Sequence, residues 1–483
     1  MAPDIAQDRL PDAPFDAIRA IVGPKGWVQD AADIAPWLVD SRGVLTGTCA
    51  VMVKPASTAE VSRILAICNA HGIPVVPQGG NTGRCGASTP DKTGTALLLN
   101  LSRMNRIREI DPVDYTMTVE AGCVLKTLQE AAEQADRLLP LSLGAEGSCQ
   151  IGGNLSTNAG GINVLRYGNA RDLVLGLEVV LPSGEIWNGL RRLRKDNRGY
   201  DLKHLFLGAE GTLGVITAAV LKLFPAPKAR ATAILAVPDP AAAVTLLGRA
   251  RADSGDALSS FELIGRFPME SALRFVPGAK RPLDGEYDWY VLMDYSAARA
   301  DSDIAEAMQG TLERGFEDGL ILDGAIAQSE TQAREFWFLR EAILEGQPHY
   351  GAAAKSDISV PVSRIPEFLT RAAIELEAYM PGIRPYPFGH VGDGNLHYNI
   401  TQPEGMAPSA FQARAKDVSR IINTIAAELD GSFSAEHGVG QIKLAEMTEW
   451  KSPLELEMMR GLKALFDPRG IMNPGKVLPP PKG

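Results

Sequence analysis

GAEGSCQIGGNLSTNAGG, residues 144–161, holds six glycines in eighteen positions, interleaved with Ser148, Asn154, Ser156, Thr157 and Asn158. The stretch is too polar for a core element and too long for a turn. Glycine clears side chains from the path of the backbone, so that successive N–H groups can approach a ligand. The composition therefore suggests a chain wrapped against something polar. Two more glycine loops flank it. PQGGNTGRCG at 77–86 follows the buried-strand run IPVVP, and LGAEGTLGVIT occupies 207–217. Taken alone, the first reads equally well as a sharp turn that needs positive φ. Three such loops together match the extent of a dinucleotide. None has GxGxxG between a strand and a helix with an acid about 20 residues later, which speaks against a Rossmann NAD site.

The chain is 483 residues long, with 45% hydrophobic and 22% charged residues. This is ordinary globular composition with room for two or three domains. The net charge of −10 argues against nucleic acid as a partner. The five cysteines (Cys49, Cys68, Cys85, Cys123 and Cys149) form no CxxC pair, which disfavours an iron–sulfur or zinc-thiolate site and a disulfide framework. A reducing cytoplasm is the expected location. The N-terminal MAPDIAQDRLPD has no basic region followed by an apolar one, so it does not read as a signal peptide. No apolar run approaches the roughly 20 residues of a membrane span.

From about residue 49 strand and helix signals alternate. CAVMVKP leads to Ser57-Thr-Ala-Glu60, a capping box, followed by Val61, Ile64, Leu65 and Cys68 at helical spacing and a stop at Gly72. A βαβ-like pattern recurs loosely at 115–143, as TMTVEAG, VLKTLQEAAEQADR and LLPLSLG. DLVLGLEVVLPSGEIWNG predicts two strands around a Pro-Ser-Gly turn, and GVITAAVLKLFP predicts another strand. PAPKA at 225–229 is a plausible boundary, after which strand-like runs (ATAILAVP, WYVLMDYS) alternate with alanine-rich helical runs.

GHVGDGNLHYN at 389–399 holds two of the six histidines of the chain. It can be read as a phosphate loop, a plain hairpin or a metal site. Asp393-Gly394 is the preferred pair for a two-residue type I′ turn. That turn would set Gly392 opposite Asn395, Val391 opposite Leu396 and His390 opposite His397. Opposed residues on antiparallel strands have Cβ atoms about 5 Å apart, which suits two imidazoles on one ion. The alternative is two satisfied histidines with no ligand. SAEHGVG at 434–440 offers Glu436 as a third ligand beside His437, although neighbours on a regular strand point to opposite faces. A helix N-terminus is the competing reading of that pair.

PQGGNTG, GAEGSCQIGGNLSTNAGG, GAEGTLGVIT, GHVGDGNLH, SAEHGVG and the terminal NPGK occur in that order. Together they resemble the FAD-linked 2-hydroxyacid dehydrogenases of the vanillyl-alcohol-oxidase superfamily, which include D-lactate, glycolate and D-2-hydroxyglutarate dehydrogenases. The resemblance spans about residues 40 to 478. It implies an α+β fold: a PCMH-type FAD-binding domain of two α+β subdomains (1–225), an α+β substrate-cap domain with an antiparallel sheet (226–430), and a C-terminal segment (431–483) returning to the flavin.

The same resemblance implies site residues. Backbone at Gln78, Gly79, Gly80, Asn81, Thr82 and Gly83 would hold the pyrophosphate. Gly144, Ser148, Gly152, Gly153, Asn154, Thr157, Asn158 and Gly161 would line the rest of the FAD, with Ile216 and Asn473 nearby. Neither loop has a residue placed for covalent attachment, so the FAD is expected to be non-covalent. His390, His397 and Glu436 would bind a divalent metal, with zinc the expected ion, and His437 would be the base. Arg340 and Lys355 match positions that grip a distal carboxylate in hydroxyglutarate-type relatives, and Asn399 could help hold the C1 carboxylate. This chain departs from the pattern at Arg84 and Cys85, where relatives usually carry two apolar residues, and at Leu344, where they carry threonine.

The implied reaction is oxidation of a D-2-hydroxyacid, D-2-hydroxyglutarate first, to the 2-oxo acid, with the C2 hydride passing to flavin N5. The alternatives are a D-lactate or glycolate dehydrogenase, or a flavoprotein subunit of a larger electron-transfer complex. Expected partners are the small-molecule 2-hydroxyacid, an electron acceptor such as an electron-transfer flavoprotein or quinone, and a second copy of the chain in a homodimer.

Overall fold

Ser57 Oγ accepts the backbone N–H of Glu60 at 3.3 Å and so starts the helix Thr58–His71, which ends on a left-handed Gly72. The Glu60 carboxylate reaches back to the N–H of Ala56, at 2.8 Å. Val61, Ile64, Leu65 and Cys68 form the buried face of this helix. Burying each such aliphatic side chain contributes about 1.5–3 kcal/mol. Residues 12–480 are described here, in a computed structural model. The signal-peptide reading rests on residues 1–12, of which 1–11 lie outside the described residues.

The helix crosses between Val51–Val53 and Val75–Gln78, which both run parallel to Leu97–Asn100, and Trp27–Val28 adds an antiparallel edge. The parallel strands are almost wholly buried, as sheets covered on both faces require. A second, antiparallel sheet has the order Ile107–Asp111, Thr116–Glu120, Val215–Lys222, Val174–Val180, Ile186–Gly189. Its last two strands flank the Pro-Ser-Gly turn, with Val180 opposite Ile186.

The βαβ-like reading of 115–143 is corrected. Thr116–Glu120 and the helix Leu125–Gln134 form, but the third member shrinks to Arg137–Leu138, paired with Phe224–Pro225. Pro140 has no N–H to donate to a ladder and cuts the apolar run LLPLSLG.

The third sheet has eight strands, all paired antiparallel, drawn from residues 229–401. Alternation along Ala229–Val237 sends Ala233, Leu235 and Val237 to one face, and Ile234 and Ala236 to the other. The first face is covered by the helices Pro240–Asp253, Ile304–Glu317, Ile365–Tyr379 and Ala415–Glu428. The helices Arg266–Phe275 and Glu330–Gly346 cover the second. The chain then returns to the first sheet, where Ile471 O accepts from Val75 N and Asn473 N donates to Val75 O, both at 2.8 Å. No helix among the described residues is long and apolar enough to cross a membrane.

Candidate active site

The strand Arg384–Gly389 pairs with Asn395–Thr401 so that Phe388, and not His390, lies opposite His397. The two-residue hairpin expected from Asp393-Gly394 is therefore corrected. The chain leaves the ladder at Gly389 (φ 148), where a Cβ would stand 2.8 Å from Asn395 O. It then makes a 3₁₀ turn over Val391–Asp393, and Asp393 Oδ1 accepts from Asn395 N at 3.1 Å. The turn rule assumes a two-residue loop, and here residues 390–394 separate the strands. His390 still comes close to His397, with ring centroids 5.6 Å apart, because the 3₁₀ turn folds back over the strand end.

Segment 434–440 is neither helix nor strand, so the strand rule that would separate Glu436 from His437 does not apply. His397 Nε2 lies 3.7 Å from Glu436 Oε1, and the His397 and His437 rings lie 5.9 Å apart. Asp357, His397, Glu436 and His437 each offer a ligand atom, all within 4.8 Å of one another. This mixed imidazole and carboxylate set has the donor chemistry that suits zinc and similar divalent ions. Glu436 also reaches the glycine-rich loop, where its Oε2 accepts from Gly161 N at 3.2 Å.

His390 lies beside this group and is not one of the four. Its Nδ1 contacts the fully buried Glu262, whose other oxygen accepts from Arg340 Nε at 2.7 Å. Burial disfavours the imidazolium, yet Glu262 outweighs it and raises the His390 pKa to about 9. Holding Nδ1 on a carboxylate leaves Nε2 as the ligating nitrogen. Arg340, expected at the substrate's distal carboxylate, is thus committed to Glu262, with its guanidinium 5.0 Å over the Phe388 ring. Asn399 is buried and also engaged. Its Oδ1 accepts from Ser356 N at 3.2 Å and its Nδ2 donates to Gln347 Oε1 at 2.9 Å.

Lys355 is exposed and, with Arg42 and Arg84, has no ion-pair partner among the described residues. Desolvation and then the Arg84 and Arg42 guanidiniums hold its pKa below the usual lysine value. Desolvation likewise lowers the pKa of His437 and His397 and raises that of Glu436.

The loops at 77–86 and 144–161 meet. A Cβ on Gly80 would sit 2.1 Å from Ser148 O, and Gly79 packs on Gln150. The N–H groups of Gly80, Asn81, Thr82 and Gly83 have no protein acceptor among the described residues. Gly83, Gly144 and Gly153 face open space. Gln150 Oε1, Asn154 Oδ1 and Asn473 Oδ1 are buried without a hydrogen-bond partner. Free backbone amides beside open space, with unmet buried polar atoms close by, fit a polar, phosphate-bearing cofactor such as FAD.

Other expected flavin residues are tied to the protein. Gln78 bonds Trp37 O and Ser88 O, Asn158 Oδ1 accepts from Arg171 N, and Thr157 Oγ1 donates to Gly153 O. Gly152 packs on Ala121, and Ile216 is buried in its strand. Ser148 is exposed.

Residues 49–189 match the family described as FAD binding domain, and 226–477 match FAD linked oxidases, C-terminal domain. The mitochondrial D-2-hydroxyglutarate dehydrogenase of Bos taurus is 39% identical over 463 residues, covering 96% of this chain and 83% of its own length. The D-2-hydroxyglutarate dehydrogenase of Xanthomonas citri pv. viticola is 37% identical over 423 residues, 88% of each chain. The chain belongs to the FAD-linked D-2-hydroxyacid dehydrogenase family.

The fold of this dehydrogenase is shared more widely. p-Cresol methylhydroxylase with substrate bound superposes with TM-score 0.74 at 16% identity over 97% of both chains. An alkyldihydroxyacetonephosphate synthase superposes at 0.72, with 17% identity over 98% of this chain and 86% of its own.

Two residues of the dehydrogenase site escaped the sequence reading, Glu262 and Asp357. Glu262 is a lone acid in LSSFELIG, a strand buried at every position. Asp357 sits between Lys355 and the strand Ile358–Ser359. An acid inside an apolar strand is a readable signal of a buried partner, but nothing local names that partner.

Proposed function

We propose that this enzyme oxidises the C2 hydroxyl of a D-2-hydroxyacid bearing a second carboxylate, with D-2-hydroxyglutarate its substrate. The observation that carries the reading is the meeting of His397, Glu436 and His437 with the glycine-rich cradle, through the 3.2 Å contact of Glu436 with Gly161. When bound, FAD supplies the acceptor for the C2 hydrogen and its electron pair at N5, and a divalent cation on His390, His397 and Glu436 supplies positive charge toward the hydroxyl oxygen. His437, neutral because burial depresses its pKa, takes the hydroxyl proton as the C2 carbonyl forms. Glu262 keeps His390 oriented, and Lys355 receives the distal carboxylate.

A monocarboxylate such as D-lactate or glycolate would leave the unpaired Lys355 unmatched, and this favours the dicarboxylate. Electrons leave to an electron-transfer flavoprotein or a quinone. The names of the relatives support the substrate assignment.

The test is anaerobic mixing of the FAD-loaded protein with D- and L-2-hydroxyacids, following flavin absorbance before and after chelation. D-2-Hydroxyglutarate should bleach the flavin and its L-enantiomer should not. Bleaching that survives complete metal removal would refute the role of the cation, and faster bleaching by D-lactate would refute the substrate.

A further inference from the structure

Asp357 is 3% exposed, and its carboxylate is the hub on which the His437 segment turns. Its Oδ2 accepts from the backbone N–H of Glu436 at 3.1 Å and of His437 at 2.9 Å, and lies 3.2 Å from His437 Nδ1. Its Oδ1 accepts from Asn395 Nδ2 at 3.1 Å and stands 4.0 Å from His397 Nδ1. Its backbone carbonyl accepts from Ala435 N at 3.1 Å. Three consecutive residues, 435–437, therefore take their backbone path from Asp357. This is what lets Glu436 and His437 serve one site.

Asp357 could instead be read as a metal ligand, since its carboxylate lies within 4.8 Å of the other donors. Its hydrogen bonds oppose that. Both of its oxygens are engaged within the protein: Oδ2 accepts two backbone N–H groups and Oδ1 accepts from Asn395.

We propose that Asp357 is the positioning residue of a His437–Asp357 pair, holding the imidazole with Nδ1–H on its carboxylate so that Nε2 is the nitrogen that takes the substrate's proton. The inference rests on His437 being the base. The proton leaves the hydroxyl oxygen, forms a bond to Nε2 and makes an imidazolium, while Asp357 stays ionised beside Nδ1–H. A buried carboxylate that fixes a catalytic imidazole in this way selects the tautomer as well as the orientation.

The test uses the FAD- and metal-loaded enzyme and the variants Asp357→Asn, His437→Gln and the two combined. Asp357→Asn should lower kcat by about 10²–10⁴-fold, with KM within about twofold and bound metal per chain unchanged. The combined variant should be no slower than His437→Gln. Loss of metal from Asp357→Asn, or a further loss of rate in the combined variant, would overturn the pairing. Wild-type turnover in Asp357→Asn with an inactive His437→Gln would overturn it and leave the base assignment standing. Full turnover in His437→Gln would remove the base assignment itself. Should Asp357→Asn fail to fold, ¹H–¹⁵N correlation of the imidazoles in the wild-type enzyme decides. His437→Gln deletes one of six histidine patterns and so assigns it. An Nδ1–H tautomer supports the pair, and an Nε2–H tautomer refutes it.

Discussion

The amide nitrogen of Gly161 donates to Glu436 Oε2 across 3.2 Å, joining residues 275 positions apart in the chain. One carboxylate thereby faces the glycine-rich cradle with one oxygen and His397 Nε2 with the other, at 3.7 Å. Glu436→Gln keeps the shape and the Gly161 bond but removes the charge. Changes behind a metal ligand cost about 10–100-fold in affinity, so loss of this ligand should weaken metal binding by more than about 100-fold and abolish turnover. The flavin-to-protein ratio should stay the same. Elemental analysis and flavin absorbance on one sample check both halves.

Gly80 tests the cradle. Its missing side chain lets the loop lie against Ser148 O, where a Cβ would stand at 2.1 Å. Gly80→Ala must push the two loops apart. The variant should purify with little flavin, and its secondary structure by circular dichroism should be unchanged, since Gly80 belongs to no strand or helix.

The Glu262 pair sets a pH profile for stability in the metal-free protein. Despite burial, His390 and Arg340 hold the Glu262 pKa at about 2, below its ordinary 4.5. Its contribution is complete above 4.5 and disappears as pH falls toward about 2. His390 is raised from 6.5 to about 9, so its contribution is complete below 6.5 and is lost as pH rises through about 9. The pair's own contribution, read as the difference in urea stability between the wild type and Glu262→Gln, should therefore be greatest between about 4.5 and 6.5 and decline on both sides. Glu262→Gln leaves Arg340 buried without its counter-charge, which should cost about 3–5 kcal/mol and flatten both limbs.

On the proposed function, Lys355 receives the second carboxylate. Lys355→Met should raise KM for a dicarboxylate about 10–100-fold, the worth of one charged hydrogen bond, and leave a monocarboxylate's KM unchanged. Because its pKa is lowered, by desolvation and then by Arg84 and Arg42, dicarboxylate binding should fade as pH rises, before the ordinary lysine range is reached. Arg84→Leu removes one repelling charge and should shift that fading to higher pH. Steady-state KM against pH for the two proteins checks the direction.

Much of this was legible in the residues. The helix Thr58–His71 follows from Ser57, four apolar residues at helical spacing and Gly72, all within one local stretch. The glycine loops follow from composition, and the nearness of His390 to His397 from a short, turn-rich spacing. Other features were not legible. The register opposite His397 depended on how residues 390–394 fold, and two turn residues could not decide it.

The role of Arg340 depended on Glu262, 78 residues away, and that of His390 on the same carboxylate, 128 residues away. Asp357 meets the amides of Glu436 and His437 79 and 80 residues away. Periodicity and capping report only on neighbours within a turn or a strand pair. The sequence by itself determined the elements, the loops and which residue types carry the chemistry. Only the tertiary structure decided which buried charge faces which partner, because a charge taken out of water must be matched by whatever group the fold delivers to it.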